Sequence, residues 1–472
     1  MKILAAITNY GSQNDRYLAR ILREYRGMRE DVDIVVTSNI AKDLGPDVEM
    51  VVGLPSRDPW SLGFAHKRIF AERSTAYDLF IYSEDDMLIT QRNVDAFLRA
   101  TEILPKDEIA GLFRIETDPT GKSYLSDVRQ HYRWEAGSVC SRGEDTYAFF
   151  TNEHAACYML TREQLGRAIK SGGFLVEPHE GRYDLLCTAA TDPYTQCGFR
   201  KMICISSFDD FLVHHLSNKY AGTCILGAEE FYSQLRGLQR VAANGKPKET
   251  LFPVETKVYR QAWSKDYYEP CQEEILSAVP EGVRSVLSVG CGWGATEQRL
   301  VEKGIRVKGV PVDSVIAVSA EARGVEVVHG DLESAREQLE NEQFDCVLLS
   351  NVLHLVPDPV KLLSSFAELL SPGGCMISSV PNLSRGRRIS RRVRLRGKPL
   401  VGHSINPRSY DASGMHITTG RVLRRWFREA GLTCNRIDYE NSAKQKRADR
   451  LAFGLARPML ASSVYVSGVR GE

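Results

Sequence analysis

The sequence predicts an α/β protein of two domains, each organised around a mostly parallel sheet. Three observations carry this. Short β-rich runs alternate with segments of helical period from Met1 to about Tyr220, the grammar of strands connected by covering helices. Asn244-Gly245, Pro247 and Pro253 then break the periodicity and carry turn chemistry, so residues 242–254 read as a linker between a domain of residues 1–241 and one of residues 255–472. Beyond it an apolar run enters a glycine-rich turn and the alternation resumes. The 472 residues suit two such units at roughly 100–200 residues per domain.

In the first half the β-rich runs are Ile3–Thr8, Asp33–Ser38, Glu49–Leu54, Asp78–Ser83, Ala110–Ile115 and Ala155–Leu160. Between the first two, Leu18, Ile21, Leu22 and Tyr25 recur at helical spacing behind a cap at Asn14 or Asp15. Thr161 followed three residues on by Gln164 is a capping-box pattern, in which two side chains satisfy two backbone donors reciprocally. In the second half a helix is expected over Tyr267–Ser277. Strands follow at Val283–Val289, Arg306–Val312, Val325–His329, Asp345–Leu349 and Cys375–Val380, then a helix centred on Trp426 and strands at Thr433–Asp438 and Ser463–Ser467.

Basic and acidic residues number 61 and 60, which excludes a global electrostatic preference for nucleic acid or acidic surfaces and makes any such preference local. Thr8 and Asn9 interrupt the first apolar run before any small-residue cleavage site, so it reads as a strand rather than a secretory leader. No apolar run approaches the ~20 residues that cross a bilayer, and a soluble protein is expected. The eleven cysteines include no C-x-x-C pair, and Cys157, Cys204, Cys346 and Cys375 sit in apolar runs, which suits reduced thiols in a cytoplasm.

The run Asp78–Ser83 leads directly into Glu84-Asp85-Asp86, placing three carboxylates at the carboxyl end of a buried strand, where open α/β sheets bind ligands. An acidic surface turn explains the triplet equally well on its own. As a site, its oxygens would hold Mg2+ or Mn2+, and the ion would neutralise a departing diphosphate. Together with Pro59–Arg68, the segment Tyr77–Met87 resembles glycosyltransferases of the GT-A fold, in which a D-x-D-like motif ends the strand after the nucleotide-binding unit. The resemblance spans about residues 1–220. It implies a nucleotide-sugar donor contacted by Thr8, Asn9, His66, Lys67 and Glu84, and a metal held by Asp86 with a late histidine, His215 or His214. An imidazole ligand favours Mn2+ over Mg2+. Lone histidines are more often structural. If transfer inverts configuration a carboxylate must take the acceptor proton, for which Glu180, Asp184 and Glu153 are candidates; a retaining route needs no such base.

In the second half Val286–Val289 feeds Gly290-Cys291-Gly292-Trp293-Gly294 and then a helical segment. Glycines allow a ligand close to the backbone, and a helix start presents unpaired amides. Dinucleotide binding is the competing reading of such a turn. Gly330-Asp331-Leu332, Phe344–His354 and Leu369–Gly374 then follow in order, and the series resembles class I S-adenosylmethionine-dependent methyltransferases across residues 255–472. It implies S-adenosyl-L-methionine as cofactor, with Gly290, Gly292 and Gly294 shaping its methionine and ribose pocket, Asp331 meeting the adenine amine and Asn351 lining the cleft. The last strand would be antiparallel. Two positions depart from the pattern. Ser288 stands where the family usually carries an acid, and Pro311 where it carries the ribose-binding acid, leaving Asp313 as the nearby substitute. These changes either weaken the cofactor or mark a domain that has lost catalysis. His416, His354 and His403, in that order, are candidates for the base that takes an acceptor hydroxyl proton; His354 also reads as a cap on the cleft.

Eight basic side chains crowd Arg385–Lys398. One reading is a solvated insertion. The other is a lid for an anionic glycan, a lipid-linked diphosphate or an anionic leaflet, which gives a peripheral membrane contact; no aromatic platform accompanies the arginines, which argues against nucleic acid. The two resemblances imply a GT-A-like Rossmann-type sheet followed by a Rossmann-like methyltransferase sheet. They imply a bifunctional enzyme that adds a sugar to a glycan or glycolipid acceptor and O-methylates the glycan, as in polysaccharide assembly. Two rivals stand beside it: a methyltransferase with a glycan- or nucleotide-binding module, and a glycosyltransferase with a non-catalytic methyltransferase-like scaffold.

Overall fold

The computed structural model describes residues 1–223, 226–244, 250–384, 410–440, 458 and 461–470, in two compact units, Met1–Lys246 and Pro247–Glu472. The junction is shorter than the expected linker. A helix runs to Asn244, and Leu251 already donates its amide to the Val312 carbonyl (2.8 Å), so the second unit begins before residue 255.

The first unit contains β1 (Lys2–Asn9), β2 (Asp31–Ser38), β3 (Val48–Val52), β4 (Leu79–Glu84), β5 (Met87–Leu88), β6 (Glu108–Ala110), β7 (Phe113–Thr117), β8 (Ser123–Leu125), β9 (Trp134–Arg142), β10 (Asp145–Phe150), β11 (Cys157–Thr161), β12 (Arg200–Cys204) and β13 (Leu212–His215). Its main sheet has the order β11-β4-β1-β2-β3. β1 to β4 run parallel and β11 antiparallel to β4. Ile3–Ile7 and Leu79–Tyr82 are buried along their whole length, as parallel strands covered on both faces must be. The helix Asp15–Arg26 buries the expected stripe of Leu18, Ile21, Leu22 and Tyr25, and the Thr161/Gln164 capping box forms in both directions (3.3 and 2.9 Å).

The expected strand Ala110–Ile115 is instead two, β6 and β7, in separate four-stranded sheets ordered β6-β12-β10-β9 and β5-β13-β7-β8. The break falls at Gly111, where a Cβ would lie 2.4 Å from Lys201 Cγ. The buried Lys201 side chain fills the space that a strand residue would need.

The second unit carries β14 (Ser285–Cys291), β15 (Arg306–Pro311), β16 (Glu326–Val327), β17 (Phe344–Ser350), β18 (Leu370–Pro381), β19 (Leu432–Glu440) and β20 (Ser463–Arg470) in one sheet ordered β16-β15-β14-β17-β18-β20-β19. It is parallel from β16 to β18, and β20 runs antiparallel to both neighbours. The strand order reverses between β14 and β17, the switch point at which open sheets leave a crevice at their carboxyl ends. The expected helix Tyr267–Ser277 shrinks to Glu273–Ala278. Pro270 disfavours helix in the residue before it and lacks the amide a helix interior needs.

No described helix is long and apolar enough to cross a membrane, and the ten described cysteines are free thiols. His403 and the basic run Arg385–Lys398 lie outside the described residues.

Two residues expected on the donor face, His66 and Lys67, are core residues instead. His66 stacks on Tyr82 (3.9 Å between ring centroids) and engages the Gly63 carbonyl at Nδ1 (2.7 Å) and the Tyr158 hydroxyl at Nε2 (2.5 Å). Burial holds its imidazole well below the usual range. Lys67 pairs with Asp192, both shielded from water, and its ammonium lies 4.4 Å from the Phe64 ring centroid. Asp192→Asn should therefore destabilise the first unit by about 3–5 kcal/mol, because it strands a buried cation. The double replacement Lys67→Met/Asp192→Leu should recover most of that loss in urea unfolding.

Candidate functional site

In the first unit the polar groups gather where β1 and β4 end. The three acids that follow each other there have three different environments. Asp85 is held on both sides: Asn9 donates to one carboxylate oxygen and Asn14 to the other (2.7 Å each). This explains why Asn14 does not cap its helix with its side chain, and it makes Asp85 a brace between β4, the end of β1 and the helix start. Burial nonetheless pushes the Asp85 carboxyl up to about 6, against the Asn14 amide that favours its charged form. Glu84, level with Thr8 in the ladder, is pushed up to about 8 by burial and then by the charge of Asp86.

Asp86 faces a histidine. β13 pairs antiparallel with β5, setting His215 opposite Met87, and His215 Nε2 lies 2.9 Å from the Asp86 carboxylate. Its Nδ1 lies 2.5 Å from Glu116 Oε1, while the other Glu116 oxygen accepts the amides of Tyr220 and Ala221 (2.7 and 2.6 Å). Burial alone would lower the His215 imidazole, but the two carboxylates raise it above its ordinary value. Asp86 is lowered despite its burial, mainly by His215. His214 points elsewhere, to the Asn218 side-chain oxygen (3.0 Å), so of the doubled histidine only His215 reaches the acids. Thr8 is buried against Thr37 (3.2 Å between hydroxyls).

Asp184 is a helix cap, accepting the Cys187 amide (2.9 Å), which corrects its expected role as a free base. Glu153 lies 3.6 Å from Arg182, and Glu180 is exposed. Sequence reasoning missed Glu116 and the buried Arg114–Asp127 pair (2.6 Å), and it read Asn14 only as a helix cap; none belongs to a motif, and only the fold brings them to the acids.

In the second unit the glycine turn lies at the switch point beside β17. Gly290 and Gly294 have positive φ (75° and 89°). Gly292 does not, but a Cβ there would sit 2.5 Å from the Tyr267 carbonyl oxygen, which also accepts the Trp293 amide (3.0 Å). The tight approach to Gly292 is thus made by the chain itself, by the segment that precedes β14. Asp313 follows β15 and accepts the amides of Val315 and Ile316 (2.9 and 2.8 Å), and Asp331 follows β16 and accepts the Ser334 amide (2.7 Å). Between these two strand ends a cleft is lined by Pro311, Asp313, Ser314, Val328, His329 and Gly330. The shielded Ser314 hydroxyl oxygen has no hydrogen-bond partner.

Residues 260–436 match the family described as a methyltransferase domain. The second unit carries a methyltransferase domain. An uncharacterized methyltransferase of Mycobacterium tuberculosis is 31% identical over 121 residues, 25% of this chain and 59% of that protein. A ubiquinone biosynthesis O-methyltransferase of Cereibacter sphaeroides is 33% identical over 106 residues, 22% of this chain and 42% of that protein. The chain thus spans about half the length of the curated relatives it matches. Among solved structures, an S-adenosylmethionine-dependent methyltransferase from Mesorhizobium loti superposes with a TM-score of 0.30 at 19% identity, over 42% of this chain and 96% of that one.

Two histidines of the methyltransferase domain expected as bases are tied to backbone. His354 Nε2 donates to the Trp263 carbonyl (2.8 Å), and burial pushes its imidazole down to about 4. His416 Nε2 donates to the Val356 and Pro357 carbonyls (3.0 and 3.2 Å), with its ring stacked on Tyr410. Both hold the segment after β17 in place rather than presenting that nitrogen to an acceptor. Asn351, at the end of β17, has a left-handed φ of 51° and gives its side-chain amide to Glu269 (2.9 Å).

Two outcomes follow from this geometry. Gly292→Ala drives a methyl into the Tyr267 carbonyl and should lower the melting temperature of the methyltransferase domain, whereas Gly304→Ala, with open space at its Cβ, costs only the penalty of its positive φ, about 1 kcal/mol. The acid response concerns His354. Folded, it stays neutral to about pH 4; unfolded, it takes up a proton near pH 6.5. The unfolded chain binds more protons in between, so stability falls as pH drops through that window, by up to about 3 kcal/mol from this residue. His354→Gln should flatten the pH dependence of denaturant unfolding between pH 6.5 and 4.

Proposed function

We propose that the chain is a two-site transferase: the second unit moves the methyl group of S-adenosylmethionine to an oxygen of a glycan, and the first transfers a sugar from a nucleotide donor to a glycan or glycolipid acceptor. The single observation that carries the methyl-transfer reading is the glycine turn at the switch point, flanked by acids at the ends of the next two strands. The match to O-methyltransferases favours oxygen as the acceptor atom.

The unpartnered Ser314 hydroxyl beside Asp313 suits a ribose hydroxyl, and the cleft that runs to Gly330 leads toward Asp331, which would meet the adenine amine. When bound, S-adenosylmethionine supplies an electrophilic methyl group on its sulfonium. The protein's part is to hold the adenosine with Asp313, Ser314 and Asp331, to shape the turn with Gly290, Gly292 and Gly294, and to close the cleft with Asn351.

In the first unit, support comes from the acids at the end of β4 and from the His215 imidazole that the fold delivers to Asp86. This pair offers one carboxylate and one imidazole, a donor set that suits Mn2+ and admits Mg2+. Among the described residues no group of three or more His, Cys, Asp or Glu is placed to hold a metal ion, so water and the donor's diphosphate would complete the shell. A bound ion would neutralise the departing diphosphate. Thr8 and Asn9 at the end of β1 would face the nucleotide with Glu84. With Asp184 occupied as a cap, the acceptor proton in an inverting route falls to Glu153 or Glu180. The basic run Arg385–Lys398 would draw an anionic acceptor or membrane surface toward the methyltransferase domain.

The test pairs the two units. Calorimetry should show S-adenosylmethionine binding to the full chain, and a panel of nucleotide sugars with Mn2+ should show one that is hydrolysed. Asp86→Ala should abolish that hydrolysis and leave cofactor binding intact. Hydrolysis without cofactor binding would leave the second unit a scaffold; binding without hydrolysis of any donor would leave the first a binding module.

A further inference from the structure

S-adenosylmethionine ends in an α-amino acid, a zwitterion at neutral pH, and an ammonium drawn from water into a cleft needs a charged acceptor. The strand under the glycine turn offers none: Ser288 gives its hydroxyl proton to Glu297 Oε1 (2.6 Å). Glu297, in the first turn of the helix Ala295–Glu302, is only 5% exposed, and burial pushes its carboxyl up. It is committed to Ser288 within the core.

Glu269 has a different setting. Its carbonyl accepts the Trp293 indole N–H (2.6 Å), which fixes it over the glycine turn. Its Oε2 accepts the side-chain amides of Asn351 (2.9 Å) and Gln272 (2.5 Å), which places the carboxylate at the end of β17, across the switch point from the turn. Its Oε1 receives Lys265, whose side chain is fully buried and also donates to the Ser350 carbonyl (2.8 Å). The Glu269 side chain retains 12% exposure. Glu269 thus links the two strand ends that bound the crevice, its carbonyl to the glycine turn and its partly exposed side chain to the end of β17, with a buried cation on the second carboxylate oxygen.

We propose that Glu269 is the carboxylate that receives the ammonium of the cofactor's methionine end, with Lys265 as the positioning residue that holds it there. This rests on the methyl-transfer reading. The charge that Ser288 lacks is supplied by the segment lying across the turn instead of by the strand below it.

The experiment is calorimetric titration of the full chain with S-adenosylmethionine, S-adenosylhomocysteine and 5′-methylthioadenosine, which keeps the adenosine and sulfur but has no amino-acid end. Glu269→Gln should weaken the first two by about 10- to 100-fold, the range for a hydrogen bond to a charged group, and leave 5′-methylthioadenosine unchanged. Glu297→Gln should not discriminate among the three. Lys265→Met/Glu269→Gln removes the buried cation with its partner and covers the case in which Gln alone leaves Lys265 stranded and unfolds the domain; it should show the same selective loss. Equal binding of all three ligands by wild type and Glu269→Gln, or an equal loss of all three in a folded variant, overturns the proposal. A wild-type chain that binds none of the three overturns the methyl-transfer reading itself.

Discussion

A polar side chain withdrawn from water calls for a partner, and for Asp85, His215 and Glu269 that partner comes from a different segment of the chain. A buried donor or acceptor left unmet costs about 1–3 kcal/mol, more when charged, so the acids at the strand ends cannot be placed independently of the loops around them. Asp85 draws in Asn9 and Asn14; His215 draws Asp86 and Glu116 together from two other segments. In the methyltransferase domain Lys265 and Glu269 tie the chain before β14 to Ser350 and Asn351. Satisfying hydrogen bonds is what assembles the sites.

The two units solve one geometric problem with opposite chemistry. Both lay down strands in the same relative order, β3-β2-β1-β4 and β16-β15-β14-β17, and both add an antiparallel strand on the far side. Each therefore opens a crevice at the same topological place. In the first unit it is furnished with carboxylates and an imidazole, in the second with glycines and a turn of backbone.

Much of this architecture could be read from the chain. Long apolar runs bounded by turn residues located β1, β2, β4, β14 and β17, because burial on both faces leaves a continuous signature. The short strands β5, β8 and β13 leave none, since two to four residues cannot show a period. Among candidate site residues, Asp86, the three glycines and Asp331 lie at or just beyond strand ends that the pattern exposes, whereas His215 ends the short β13 and stood out only by its place late in the first domain. His66, Lys67 and His354 looked equally functional in sequence, yet their partners Tyr158, Asp192 and the Trp263 carbonyl lie 92, 125 and 91 residues away, beyond any local pattern. Glu269 was hidden for a related reason: the Tyr267–Ser277 periodicity suggested a helix, and a helical segment would not have been expected to lie across a turn.

One seam in the methyltransferase domain bears on how such a protein diversifies. Leu383 donates its amide to the Thr418 carbonyl (2.8 Å), and the Thr418 hydroxyl donates back to the Pro381 carbonyl (2.6 Å). Nearby, Asn382 grips the carbonyls of Pro458 and Ala461 (2.9 and 3.0 Å). The chain that leaves at Ser384 and returns before Thr418 is therefore stitched shut at its base, and so is the one that ends at Ala461. For a span whose two ends are held in this way, each doubling of length adds only about 0.6 kcal/mol of closure entropy. A change of length between Ser384 and Tyr410 therefore costs the strands beneath little as long as these bonds hold, because the ends of the span, and not its length, fix where the sheet is left and rejoined.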